Sequence, residues 1–564
     1  MEERNHQVQL MKSIYSSAPL ALAWLGHLND AHLAVSLAES LSPPHSLEFM
    51  SNMRNLDYSS WMHANPHLWT VSEGRNAHWE AFKVLAESPY WTRTWTFQEM
   101  VLPSQVLFMC SPSLVAWQHV MAVQELVLAL YSMVTHSILP TTRAHEALCL
   151  ALLPFLTAKV PLTREIYETR RKLDATSNPP NLTLVPSLVN SQATDPRDRV
   201  YGLLGVIETR LEADYTKDTA QVYLEFASAW IHELKDLNLL LYCQAHCRNA
   251  RHGPKPLPSW APDWEAISQE KDDIKNHLDS GADLAGPFYS NDASMHLPPG
   301  NPHLVDDLST LIASGVVAGK VEEVYPRWPS DISDTDLAVE VLQLVIRCRS
   351  SSGSHLEPSG SPSGPRLHIF QTLFRTIIPD MGLKNVYENR DVRLRWSSAL
   401  CLLVGLLAWA VESERPDWQS VAALYLPRLG IPIGKEFSRA WKEEIFKGYI
   451  AEINVPDCEN AAAAMESTWE NAKECISVMR QLTKLILRPY VKFVTNNGYL
   501  GISNATQAGD MVVVLADCKA PVLLRRRGSH YEHVGPCFVM GLLDGEAKEM
   551  VDRGDAKIER FEIR

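Results

Sequence analysis

Arg93, Trp95, Gln98 and Glu99 crowd a cation, an indole, an amide and a carboxylate into barely two helical turns, just ahead of a strand-like run from Gln105 to Met109. The chemistry open to this set centres on Glu99, because a fixed carboxylate stabilises positive charge that develops beside it. A glutamate close to an arginine at a helix start is also a common structural ion pair, and that role stays open. Ser88, Pro89 and Tyr90 come just before. Pro89 is expected to interrupt one helix, and Thr92 to cap the next. On that helix Trp91, Trp95 and Glu99 fall at i, i+4 and i+8, along one stripe.

A second group lies at Asp195 to Arg199. Asp195 reads as an N-cap, Pro196 as the first helical residue and Asp198 as a carboxylate able to reach back to the helix start. Val200, Leu203 and Leu204 would then point inward, with Gly205 near the end. Arg197 and Arg199 either cap the turn and pair at the surface, or face the Glu99 cleft and bind an anionic group. Cys243, His246 and Cys247 place three soft ligands within five residues, but no second Cys or His pair follows at a zinc spacing. They are read as helix-end residues, and no metal is assigned. Neither a Gly-x-Ser-x-Gly elbow nor a phosphate-binding P-loop occurs.

The elements that must position these residues are legible from periodicity. Val8, Met11, Ile14 and Tyr15 give a helical stripe, Leu20 to Leu25 a short buried strand, and Ala77 to Ala86 a further helix. Such alternation predicts a parallel sheet with helices on its faces. Trp117 to Val134 and much of 140–180 read as helical. Trp260 to Trp264 reads as a docked extended segment. Ser350 to Pro365 is dense in Ser, Gly and Pro and reads as a disordered linker. Residues 366–490 are mainly helical by pattern. Beyond Tyr499, strand-like runs at Met511 to Leu515, Val522 to Arg526 and Cys537 to Met540 predict a small antiparallel β-rich unit.

Composition narrows the classes. The 564 residues carry 52 basic and 66 acidic side chains, a net charge of −14, with no long basic run. That balance disfavours a nucleic-acid partner. Ten irregularly spaced cysteines in so long a chain point to a reduced, cytoplasmic protein rather than a disulfide scaffold. The early acidic pair Glu2 and Glu3 and the lack of an apolar h-region argue against a signal peptide. The apolar runs Trp396 to Val411 and Ala147 to Val160 are read as core helices rather than membrane spans.

The stretch from Arg93 to Glu99 resembles the Arg-x-Trp-Thr-x-Gln-Glu signature of the fungal heterokaryon incompatibility (HET) domain family. Gln7 to Tyr15 running into Trp24, Leu25 and Gly26, the segment Thr194 to Gly205, and Leu257 to Trp264 are similar to three further segments of that family. The C-terminal segments Gly498 to Gly501, Gly509–Asp510, Leu524–Arg525 and Gly541 to Glu546 also resemble these proteins' tails. Family members open with a Ser-Tyr-x-Trp-Gly strand and a second strand ending near Asp-Ala-x-Cys-Ile-Asn-Gln. Neither is present, so the expectation is a HET domain truncated at its front.

The resemblance implies an α/β fold, an incomplete TIR-like or flavodoxin-like parallel sheet, ahead of the mainly helical region and the β-rich C-terminal unit. The expected divisions are 1–210 for the partial HET domain, 211–349 for a helical and extended connection, 350–365 for the linker, 366–490 for the helical region and 491–564 for the β-rich unit. It further implies a role in non-self recognition and programmed cell death, through protein partners of incompatibility signalling and self-association. Some Toll/interleukin-1 receptor (TIR) domains cleave NAD with a helical glutamate. By that distant likeness Glu99 would be catalytic, with NAD as substrate rather than cofactor. Arg93, Trp95, Gln98, Arg197 and Arg199 would bind the ligand, with Trp91 or Trp95 stacking against a ring and Gln98 orienting a hydroxyl. A non-catalytic interaction module and an inactive remnant are the alternatives.

Overall fold

The computed structural model of the protein describes residues 2–40, 64–68, 76–123, 170, 191–207, 209–243, 256–275, 292–305, 308–327, 490–539, 541–543 and 545–564. The apolar runs at 147–160 and 396–411, the linker 350–365, the helical region short of 490, and His246 with Cys247 lie outside these residues. The chain divides into two compact units. One comprises Met1–Ala229, Ala250–Pro256 and Asp263–Gly281, the other Trp230–Asn249, Leu257–Pro262 and Ala282–Arg564.

The first unit begins with helix α1 (Glu2–Ser17) and strand β1 (Ala21–His27), followed by α2 (Ala31–Ser40) and α3 (Ala77–Ala86). A 3-10 turn (Pro89–Thr92) leads to α4 (Thr96–Val101), then to β2 (Val106–Ser111) and β3 (Ser113–Ala116). β1 pairs parallel with β2, and β2 antiparallel with β3. A parallel pair needs a crossover, and α2 to α4 occupy it. Helix α2 buries Ala31, Ala34, Val35 and Ala38, an i, i+3, i+4, i+7 stripe, against α3, which buries Trp79, Phe82 and Leu85. Each of the larger side chains contributes about 1.5–3 kcal/mol on burial. Asn76 starts α3 by accepting the N–H groups of His78 at 3.0 Å and Trp79 at 3.4 Å.

Three local expectations are corrected. β1 is half-buried: Ala23 and Leu25 face the core, while Leu20, Leu22 and Trp24 are exposed. Only one face of this small sheet is sealed among the described residues. On α1 the inward row is Asn5, Val8, Met11 and Tyr15, none fully buried, and Ile14 lies exposed beside it. Thr92 does not cap a helix; its hydroxyl donates to the Pro89 carbonyl at 3.0 Å. Arg93 instead runs extended and bridges in parallel to Gln192, so the α-helix restarts only at Thr96. Trp91 is thereby left in the 3-10 turn, off the stripe of Trp95 and Glu99. A tertiary pairing has overridden the local helical preference.

The same unit holds a short helix α5 (Asp198–Tyr201), the first eleven residues of α6 (Thr219–Leu234), and α7 (Trp264–Lys275). Asp195 accepts the Arg197 N–H at 3.2 Å, as an N-cap would, but regular helix starts at Asp198. Residues 117–123 are helical, as the pattern from Trp117 predicts.

The second unit is built on β4 (His303–Val305), β5 (Thr310–Tyr325), β6 (Val491–Thr495), β7 (Leu500–Ser503), β8 (Met511–Leu515), β9 (Val522–Arg527), β10 (His530–Val539) and β11 (Ile558–Ile563), with helix α8 (Glu546–Arg553) between the last two strands. The antiparallel β-rich C-terminal unit is present, and it takes in the long strand β5 from much earlier in the chain. Pairing runs β5 to β6, β7, β10, β9, β8 and back to β5, a closed ring of six strands, with β11 also bridging β5 and β10. Closure removes open edges. Register shifts at Val317/Gly319 and Val321/Glu323 bend β5, so one strand serves four neighbours. Val316, Phe493, Val514, Leu523, Val534 and Val539 lie in its core.

Candidate functional site

Helix α4 carries the candidate carboxylate, and α1 contributes groups to both ends of the surrounding polar network. Glu99 is partly buried and accepts two phenol hydroxyls, Tyr15 from α1 at 3.3 Å and Tyr90 from the 3-10 turn at 3.1 Å. Each phenol takes a different carboxylate oxygen, so the group is fixed in orientation. Burial, then the charge of Glu99 and the hydrogen bond to it, push the Tyr15 phenol up to about 12. The same causes raise Tyr90 further. Arg93 is exposed, and its charge opposes those shifts on both phenols.

At the Arg4 end of α1 stands a second carboxylate, Asp198, only 7 % exposed. It accepts Arg4 on both oxygens, at 3.1 and 3.2 Å, the Trp95 indole N–H at 3.3 Å, and the Tyr215 hydroxyl. Arg4 also reaches Asp195 at 3.2 Å and stacks over the Tyr215 ring, 3.6 Å from its centroid. Arg4 and Tyr15 are eleven residues apart, or about 16 Å along the helix. Polar contacts therefore fasten α1 at two well-separated points.

The other candidate residues have defined partners. Arg197 binds Asp195 through two nitrogens at 2.9 Å each, and donates to the carbonyls of Tyr215 and Lys217 at 2.9 and 2.8 Å. Burial opposes the Asp195 charge, but the Arg197 hydrogen bonds and the nearby Arg4 outweigh it and hold that carboxyl below the usual range. Arg199 is buried and donates to the Ser191 carbonyl. Gln98, 1 % exposed, donates its amide to the Gly202 carbonyl at 2.7 Å. A Cβ at Gly205 would collide with that amide, and one at Gly202 would lie 2.8 Å from the Asp198 carbonyl. The stretch 93–99 is thus packed on the stretch 195–205 through two close glycines. Glu99 joins Tyr15 and Tyr90, whereas Trp95, Arg197 and Asp195 gather around Asp198 and Tyr215.

Sequence reasoning missed Tyr15 as a partner, took Asp198 for a capping group and did not single out Arg4. The signal for Tyr15 was present, a phenol on the inward stripe of α1. Among the described residues no group of three or more His, Cys, Asp or Glu could hold a metal ion, and no helix is long and apolar enough to cross a membrane.

Residues 1–99, ending on Glu99, match the family described as Heterokaryon incompatibility protein (HET). The chain is also similar to "Heterokaryon incompatibility protein 6, OR allele" of Neurospora crassa, at 27 % identity over 612 residues that cover 98 % of this chain and 80 % of that protein. No solved structure matches. With the family match ending on the carboxylate at the centre of this site, and the similarity running nearly end to end, the chain is a HET domain-containing protein.

Proposed function

We propose that the protein acts in fungal heterokaryon incompatibility, as a HET-type component of non-self recognition that leads to programmed cell death. The observation that carries this is the HET match over residues 1–99, extended by the similarity to the Neurospora crassa protein along 98 % of the chain. The HET segment would be the effector, and the C-terminal part would sense or restrain it, in the cytoplasm and through protein partners. The parallel β1–β2 pair with a helical crossover supports a TIR-like or flavodoxin-like ancestry for the front module. The test is expression in a fungal host followed by fusion with compatible and incompatible strains. Death confined to incompatible fusions is expected; growth indifferent to the protein would sink the proposal.

A second reading, NAD cleavage at the nicotinamide glycosidic bond, is favoured by the orientation of Glu99 between two phenols. A carboxylate so held is preorganised to stabilise positive charge developing on a ribose. Trp95 would have to stack while its indole N–H stays on Asp198, and Gln98 and Arg199 would act from buried positions. NAD consumption by the purified chain, with Glu99→Gln alongside, separates the readings. Turnover lost in the variant supports catalysis; cell death that survives the substitution assigns the effector role to protein interaction.

A further inference from the structure

Helix α1 is attached differently from its neighbours. Helices α2 and α3 each bury an apolar stripe, whereas no side chain from Glu3 to Ser17 is fully buried, and the inward Val8 and Met11 are half-buried. The side chains that fasten α1 are polar: Arg4 on Asp195 and Asp198, Asn5 accepting the Tyr215 N–H at 3.0 Å, and Tyr15 on Glu99. The Arg4 side chain is 46 % exposed, so its ion pairs lie within reach of water and salt. An element held in this way, with little apolar burial, opens at lower free energy than the packed core beside it. The two phenols on Glu99 are unequal in the same sense. Tyr90 is buried and lies nine residues from Glu99 in the chain, whereas Tyr15 is half-buried and belongs to α1.

We propose that α1 is a releasable strap over Glu99: undocking its Arg4 end frees the helix, withdraws Tyr15 and opens to a ligand the carboxylate oxygen that Tyr15 holds. The resting chain keeps Glu99 tied, and the carboxylate becomes available in the minor, undocked population. As regulation of catalysis this rests on the reading of Glu99 as the group that acts on NAD; as a movement of α1 it does not. A second route links the two ends of the network, from Asp198 through the Trp95 indole into α4. Variants of α1 that differ in their contact with Asp198 separate the two routes.

Hydrogen exchange of the full chain, read by mass spectrometry beside carbodiimide coupling of glycine ethyl ester to Glu99, tests the strap independently of activity. Undocked, a helix of this length has little stability of its own, so its amides report docking. Arg4→Gln should raise exchange over residues 2–17 and coupling at Glu99 together, by about threefold to tenfold for one half-exposed charge-assisted contact. Helices α3 and α4 should exchange as in the parent. Raising the salt from about 0.01 to 1 M, which shortens the screening length from about 30 to 3 Å, should act in the same direction. Asn5→Ala loosens α1 without touching Asp198 or Trp95, and should also raise both signals. Exchange of α1 only in concert with α3 overturns the proposal. So does release of α1 with coupling at Glu99 unchanged, or coupling that rises in Arg4→Gln but not in Asn5→Ala. NAD consumption should rise by the same factor as the coupling, and turnover indifferent to both variants overturns the regulatory role. If no form of the chain consumes NAD, the catalytic reading fails, and the strap stands or falls on exchange and coupling.

Discussion

Glu99 and its two phenols form a small unit whose energetics follow from burial. Tyr90 is 8 % exposed, so its hydroxyl has little access to water if the carboxylate is removed. Glu99→Ala should therefore destabilise the front unit by about 1–3 kcal/mol, and Glu99→Gln, which keeps one acceptor, by less; urea unfolding monitored by tryptophan fluorescence measures both. The pH dependence has a definite sign. Tyr15 is raised from 10.0 to about 12 and Tyr90 further in the same direction, so the folded state favours the protonated phenols. Their contribution is fully present below pH 10 and is lost as pH rises through the folded value of Tyr15. In a spectrophotometric titration, Glu99→Gln should bring Tyr15 only part of the way back, because burial is the largest cause and it remains.

Between elements, the decisive contact is the approach of α4 to the stretch 195–205. Gln98 lies flat against Gly205 and donates to Gly202, with no room at either glycine for a methyl group. Gly205→Ala must push the amide away or separate the elements, at a cost of about 1–3 kcal/mol as for other overpacked sites. Thermal melting should show that loss. Val84→Ala, on the exposed side of α3, should change little. The same geometry gives the two sequence signatures a structural reason. The glutamine of one needs the glycines of the other.

At the scale of the whole molecule, the C-terminal ring depends on its last strand. β11 pairs with β5 over Leu311 to Val316 and meets β10 at Tyr531. Phe561 and Ile563 are buried, at 1 % and 0 % exposure. Ending the chain at Gly554 would expose the backbone of β5 over six residues and uncover that side of the ring. The expected outcome is loss of the cooperative transition of this unit and aggregation, read by differential scanning calorimetry and by the soluble fraction after expression.

Much of the local structure was legible because it depends on neighbours a few residues away. The helix α3, the cap-like Asp195, the strand-like run of β2 and the strands Met511–Leu515 and Val522–Arg527 follow from spacing alone, as did the cluster from Arg93 to Glu99 and the HET resemblance it carries. The pattern could not tell which face of β1 would be sealed, because an apolar run reads alike whether covered on one side or both. Nor could it place Thr92, where pairing of Arg93 with Gln192 holds the chain extended. Glu99 meets Tyr15 across 84 positions and Asp198 meets Arg4 across 194. Such partnerships, like the recruitment of β5 into a ring closed by strands beyond residue 490, have no local signal. The sequence by itself determined the elements and the residues that could carry chemistry; the tertiary structure alone decided their partners, because side chains so distant in sequence meet only when packing and strand closure bring their elements together.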